Sequence, residues 1–375
     1  MSSTLRLDQG AVDKLLERVR REVDDGLLPA VQVALGFGGE VVIEECFGEA
    51  DLTTRFCIFS ATKPFVAATV WTLMGEGLVD VNASVASYIP EFADQGKGEI
   101  TIEQVMLHTS GFPHGPLGPP RWSNRTSRVQ RMSEWRLNWE PGTRFEYHPT
   151  AAHWVLAEII ERVTGEDYRD EIARRVTAPA GLPRIVGLAE DQQEGIADLV
   201  LVGEPATGDE LEAVFGVREL PGSEVTDEVV LRFNEPEVRS LGVPGGGGFA
   251  RARDLAHFYQ ELLHNPHGIW DAELLAEVTG TVRNTLPDPM GVPANRALGV
   301  VVAGDDGRSH LRGMGRGVSP AAFGHNGAGG QLAWADPATG LSLGYVTNGY
   351  DRHQIREPRR SSAIASLAAA CVTTA

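Results

Sequence analysis

The chain has 375 residues, 42% apolar and 22% charged, enough to bury the core of one large domain or two ordinary ones, so disorder as the main state is excluded. Lys and Arg number 33 against 51 Asp and Glu, a formal charge of −18 that repels phosphate backbones and anionic lipid, which argues against nucleic-acid and membrane-surface partners. Cys46, Cys57 and Cys371 stand at no metal-ligand spacing, no apolar core follows a basic start, and no run of about 18 apolar residues occurs, so we expect packed thiols in a cytoplasmic protein without disulfides, signal peptide or membrane span.

Val12, Leu15, Leu16, Val19 and Val23 recur at spacings of three and four, which predicts an amphipathic helix over 10–26. The period then changes: residues 30–37 and 41–47 are short β-branched runs joined by Gly38-Gly39-Glu40, a hairpin signature. Helical spacing dominates from about residue 60 to 290, over 61–77, 83–88, 101–107, 150–164, 168–176 and 254–264. Between them, the Pro- and Gly-rich stretch GFPHGPLGPPRWSNR (111–125) reads as a long loop of the kind that lines a site, and 203–250 reads as irregular, ending in Pro244 and four glycines. Strand signals return at 297–304, 330–337 and 341–349, the last two turning at 337–340, and a final helix is expected over 355–371. Strands at both ends place the termini in one sheet. The expected fold is α/β (α+β): residues 1–59 and 290–375 form an antiparallel sheet flanked by terminal helices, the mainly helical residues 60–289 are inserted into it, and the active site lies in the cleft between.

The sharpest chemical feature is Phe59-Ser60-Ala61-Thr62-Lys63-Pro64. A helix beginning at Ser60, with Ser60 as its N-cap, puts residues i and i+3 on one face, so the Lys63 amine can reach the Ser60 hydroxyl. Serine is a poor nucleophile until a base takes its proton, and lysine serves as that base only when burial lowers its pKa. A capped helix with a solvated lysine has the same spacing, but lysine is rare here: only Lys14, Lys63 and Lys97 among 33 basic residues.

Further segments follow in order: Thr101 to Gly111 (TIEQVMLHTSG), Phe145-Glu146-Tyr147-His148, and Phe323-Gly324-His325-Asn326-Gly327. Together with Ser60-x-x-Lys63 they resemble the successive signatures of the serine β-lactamase and penicillin-binding-protein superfamily, closest to class C β-lactamases and the family VIII carboxylesterases, over nearly the whole chain. The resemblance implies Ser60 as acylated nucleophile, Lys63 as its base, Tyr147 as a phenol sharing the proton with Lys63, and the backbone N–H groups of Ser60 and Ala328 as oxyanion hole. It places His325-Asn326-Gly327 at the substrate, where the superfamily has Lys-Thr-Gly.

Two departures point to an ester substrate. Pro149 stands where β-lactamases carry the asparagine of Tyr-x-Asn, and His325 replaces the lysine as a weaker, pH-dependent partner for a substrate carboxylate. His108, Thr109 and Ser110 are expected to order the cleft loop, and Phe112, His114, Trp122 and Trp135 to line an acyl or alcohol pocket or to pack beneath the loop. His264 and His267 have no third ligand nearby, Gly313 to Gly317 follows no clear strand, and no Gly-x-Ser-x-Gly elbow exists, so no metal, no nucleotide cofactor and no α/β-hydrolase fold is expected. The expected activity is cofactor-free hydrolysis of short or medium acyl esters, with small-molecule substrates as the only partners and the oligomeric state left open. The alternatives are β-lactam, D-amino peptide or amide hydrolysis, acyl transfer through the same acyl-enzyme, and a non-catalytic binding domain.

Overall fold

The stripe Val12, Leu15, Val19 is the buried face of helix α1 (Gln9–Asp24) in the structure, a computed structural model that describes residues 5–220 and 226–374. Asp8 starts this helix by accepting a hydrogen bond from the Ala11 N–H at 3.1 Å. Four further helices organise the rest of the chain: α2 (Lys63–Gly75), α3 (Ala151–Thr164), α4 (Ala252–His264) and α5 (Arg356–Ala369).

Strands β1 (Ala30–Phe37) and β2 (Glu40–Gly48) form the expected hairpin, turning through Gly38 and Gly39, both at positive φ. They join β3 (Val301–Val302), β4 (Phe323–Gly324), β5 (Leu332–Asp336) and β6 (Leu341–Thr347) in one antiparallel sheet of order β2-β1-β6-β5-β4-β3. The two ends of the chain meet at β1 and β6, with Leu35 opposite Leu343. Leu5–Leu7 and Val372–Thr374 pair in a second small sheet. Under one face of the main sheet, α1 and α5 pack Val12, Leu15, Val19, Ile364 and Ala368 against Leu343 and Tyr345. On the other, α4 presses Leu255, Phe258 and Tyr259 toward Ala333 and Ala335, in the core shared with the helical half. The expected antiparallel sheet flanked by terminal helices, with the helical segments inserted between its strands, is borne out.

Helix α2 has no polar face: Phe65, Val66, Ala67, Ala68, Val70, Trp71 and Leu73 are all fully buried. A helix apolar all round belongs at the centre of a core. Two indoles pin it there, Trp71 Nε1 donating to Leu298 O at 3.0 Å and Trp270 Nε1 donating to Ala68 O at 2.9 Å.

Several expectations need correction. The helix does not begin at Ser60: Phe59–Thr62 form a 3₁₀ turn and the α-helix starts at Lys63, so Ser60 is not its N-cap. The tighter turn follows from Phe59, whose φ of +43° reverses the chain just before Ser60. Such a backbone is costly for a side-chain-bearing residue and is held here by edge contacts of the buried Phe59 ring with Phe233 and Tyr350. The strand expected over 297–304 shrinks to Val301–Val302, because Gly299, at φ +95°, turns the chain against Ala67. The irregular 203–250 contains the short helices Gly208–Phe215, Asp227–Leu231 and Pro236–Leu241, with residues 221–225 outside the described residues. The loop after 111 contains a further helix at Arg125–Glu134.

Candidate active site

Ser60 lies at the floor of a cavity of about 420 Å³, lined also by Tyr147, Arg296, His325, Gly327 and Ala328. They come from four separate parts of the chain. Ser60 sits on the turn leading into α2, Tyr147 on the extended segment before α3, Arg296 just before β3, and the last three at the end of β4. Gly327 is required by space: a Cβ there would lie 2.2 Å from Ile58 O, so only glycine lets the end of β4 close on the segment carrying Ser60.

Lys63 Nζ stands 3.1 Å from Ser60 Oγ, 2.7 Å from Pro149 O and 2.6 Å from Gly245 O. The side chain is fully buried, and no carboxylate pairs with it among the described residues. Burial first, and the charge of Arg296 second, push its pKa well below the usual lysine value. A neutral amine has two hydrogens and one lone pair. Two carbonyls can only accept, so they take the hydrogens and leave the lone pair directed at the Ser60 hydroxyl.

Tyr147 approaches Ser60 from the other side, its O–H donating to Ser60 Oγ at 2.8 Å. Burial pushes this phenol up to about 12, which keeps it a protonated donor. The expected direct sharing of a proton between Tyr147 and Lys63 takes a different form: both meet Ser60 Oγ, and Lys63 Nζ lies 5.0 Å from the centre of the Tyr147 ring. The segment carrying Tyr147 is clamped by the histidine-rich motif. His148 N–H donates to His108 Nδ1 at 3.1 Å, and His148 Nε2 meets Ser110 Oγ at 3.1 Å and the Phe112 N–H at 3.3 Å. Thr109 Oγ1 donates to Gln104 O at 3.4 Å, so residues 108–110 order the loop as expected.

The other expected site residues divide. Asn326 lines the cavity, but its amide is engaged within the fold, donating to Gly313 O and accepting from the Ala333 N–H at 3.0 Å. Pro149 contributes its carbonyl to Lys63. Phe112 is not a cavity residue: it is fully buried against Phe92, Trp135 and His148. His114 pairs with Glu146 at 3.0 Å, and Trp122 packs under the Arg232 guanidinium; engaged by these partners, neither lines the cavity.

Two contributors escape sequence reasoning. Arg296 is 8% exposed, makes no side-chain hydrogen bond or ion pair among the described residues, and lies over the rings of Phe145 and Tyr147 at 5.4 and 5.2 Å. Burial lowers its pKa to about 10, so it remains a cation in the cavity wall. The glycine run is the other: Gly245 holds Lys63, and Gly248 receives Ile58 N–H at 3.0 Å while donating its own N–H to Thr62 Oγ1 at 2.9 Å. Its only sequence signal was the run itself. No cluster of metal-ligating side chains occurs among the described residues, and no helix there is long and apolar enough to cross a membrane.

A sequence model of the family described as Beta-lactamase matches residues 15–367. Esterase/beta-lactamase LipL of Mycobacterium tuberculosis is 29% identical over 312 residues, 78% of this chain and 68% of that protein. Protein flp of Staphylococcus aureus is 26% identical over 186 residues, 46% of this chain and about a third (36%) of that protein. Among solved structures, a family VIII carboxylesterase superposes with a TM-score of 0.76 at 25% identity, covering 97% of this chain and 100% of that one. A penicillin-binding protein homologue from Caulobacter crescentus superposes with a TM-score of 0.79 at 24% identity, covering 98% and 100%.

Proposed function

This chain belongs to the beta-lactamase family, as a serine hydrolase of that superfamily, and from that premise we propose that it is a carboxylesterase acting on short or medium acyl esters. The observation that carries the reading is the single lone pair of Lys63 directed at Ser60 Oγ from 3.1 Å, with the Tyr147 phenol donating to the same oxygen. Ser60 gives its proton to Lys63 as Oγ attacks the ester carbonyl. The N–H groups of Ser60 and Ala328, both at the cavity wall, receive the oxyanion. The leaving alkoxide takes the phenolic proton of Tyr147, which the Lys63 ammonium makes good. Water then releases the acyl group.

Ester is favoured over lactam because Pro149 offers no side-chain amide at the position where lactam recognition uses one. The carboxylesterase of like fold supports the same choice, while the relative named esterase/beta-lactamase carries both activities in its name. The free thiols Cys46, Cys57 and Cys371 favour the cytoplasm, and the charge of −18 favours small-molecule substrates over nucleic acids or membranes.

The test compares wild-type and Ser60→Ala protein on p-nitrophenyl butyrate and on the chromogenic cephalosporin nitrocefin. Ester turnover that disappears in the variant, with little nitrocefin opening, is the expected result. Ester turnover that survives the substitution overturns Ser60 as nucleophile, and efficient Ser60-dependent nitrocefin opening replaces the esterase reading with a lactamase.

A further inference from the structure

Deacylation needs a hydrogen-bond acceptor facing the cavity, and the groups already used cannot supply it. Lys63 is fully buried behind Ser60, held by two carbonyls, with its one remaining direction aimed at Ser60 Oγ and not at the cavity. Tyr147 is a protonated donor. The remaining group is His325, 6% exposed, whose backbone N–H is held by Ala333 O and Tyr259 Oη, both at 3.0 Å. Its Nδ1 lies 2.9 Å from Asn326 O. A carbonyl only accepts, so Nδ1 carries the ring hydrogen and Nε2 carries the lone pair. Nε2 is buried and has no partner among the described residues, in a side chain that lines the cavity with Ser60 and stands 5.9 Å from Tyr147 between ring centres. Leaving a buried acceptor unpaired is costly, so this lone pair favours a bound O–H. The sequence reads His325 as a largely neutral, pH-dependent partner for a substrate carboxylate; the geometry offers its Nε2 instead to a neutral donor.

We propose that His325 Nε2 accepts the hydrogen bond of the water that attacks the acyl-enzyme, aims its oxygen at the acyl carbon, and takes its proton. This rests on the esterase reading above. As the new C–O bond forms and the bond to Ser60 Oγ breaks, Oγ takes the phenolic proton that Tyr147 already points at it, and the imidazolium returns its proton to the Tyr147 oxygen. The net change is water divided between the acyl group and Ser60. Burial, Arg296 and Lys63 hold the imidazole well below its usual pKa, which favours the neutral ring that presents the Nε2 lone pair to water.

The experiment follows p-nitrophenyl butyrate hydrolysis by His325→Leu and His325→Gln in a stopped-flow burst assay, with intact-protein mass spectrometry of the quenched reaction. In the Leu variant the initial nitrophenol burst is expected to survive while steady-state turnover falls about a hundredfold and butyryl-Ser60 accumulates. In the Gln variant, whose amide oxygen accepts a hydrogen bond without taking the proton, accumulation is smaller. Burst and steady state falling together, or an unchanged steady state, overturn the proposal; if the Leu protein does not fold, the same two outcomes in the Gln variant decide. A wild-type enzyme that never acquires a butyryl group on Ser60 overturns the esterase reading itself, a result distinct from acylation that proceeds normally without dependence on His325.

Discussion

Lys63 Nζ is held by the carbonyls of Pro149 and Gly245, at 2.7 and 2.6 Å, in the one orientation that turns its remaining direction to Ser60 Oγ. The carbonyls come from two segments far apart in the chain that meet at Lys63, so the amine is both base and rivet. Lys63→Met keeps the stem and removes the amine, leaving two buried carbonyls unpaired. Loss of the base is expected to lower kcat/KM by about 10² to 10⁴. Loss of the rivet is expected to cost about 2 kcal/mol in urea unfolding. Lys63→Arg separates the effects, because a guanidinium donates but does not deprotonate: activity stays lost while part of the stability returns. Activity within tenfold of wild type in either protein removes Lys63 as the base.

The same amine sets the pH profile. Its neutral form is the active one, so kcat/KM on p-nitrophenyl butyrate is expected to rise with pH to a plateau, the acid limb reporting deprotonation of Lys63. Burial is the first cause of its lowered pKa and Arg296 the second. Arg296→Leu removes the second cause alone, so the acid limb moves to higher pH while remaining below that of an ordinary lysine. An unmoved limb assigns it to another group. The sign for stability is opposite to that of a salt-bridged lysine: between the lowered folded value and about 10.4 the unfolded chain binds more protons, so this residue costs stability at neutral pH and the cost shrinks as pH rises.

Tyr147→Phe tests the phenol as acid rather than as packing. The hydroxyl bonds to Ser60 at 2.8 Å, while the ring lies beneath Arg296 and 4.8 Å from His108, contacts that phenylalanine keeps. Unfolding free energy is expected to change by no more than about 1 kcal/mol. Nitrophenolate leaves without a proton and ethoxide does not. The acylation rate with ethyl butyrate is therefore expected to fall about a hundredfold and the nitrophenol burst rate with p-nitrophenyl butyrate much less, while deacylation, which draws on the same phenolic proton, slows for both. Equal losses in the two acylation rates make Tyr147 a positioning group in that step.

How much of this was legible follows from what each feature depends on. The hairpin β1–β2, helix α1 and the pairing of the chain ends were written in local periodicity, and the structure keeps them. Ser60 and Lys63 stood out because lysine is rare in this chain, at three residues. Arg296 was hidden for the converse reason: it is one of 30 arginines, the 33 basic residues less the three lysines, and only the folded packing strips it of partners. Phe112 and Trp122 were drawn into the pocket by their place in an irregular loop, yet the fold engages both rings with other partners, and the loop itself contains the helix Arg125–Glu134, whose apolar positions Val129 and Met132 bury themselves in the helical core. The tautomer of His325 depends on a carbonyl one residue away and had no sequence signal at all.

Gly327 ties the sheet to the nucleophile and carries the last prediction. Its φ of −104° suits any residue, so the need for glycine is purely one of space. An added Cβ would meet Ile58 O at 2.2 Å and the Gln331 side chain at 3.0 Å. Gln331 is buried, with its amide held by Thr347 N–H and O, so its Cβ has little room to move, and Ile58 O belongs to the backbone leading into Ser60 and already accepts the Ala61 N–H at 3.0 Å. Gly327→Ala must therefore push the end of β4 away from the turn at Ser60, widening the gap between the N–H groups of Ser60 and Ala328. Overpacking of this kind costs about 1 to 3 kcal/mol of stability. Loss of one oxyanion donor is worth about 10² to 10³ in kcat. The two losses are expected together, with fluorophosphonate labelling of Ser60 slowed in parallel because the phosphoryl oxygen uses the same donors. A variant that is destabilised yet labels and turns over at the wild-type rate places the oxyanion hole elsewhere in the cavity.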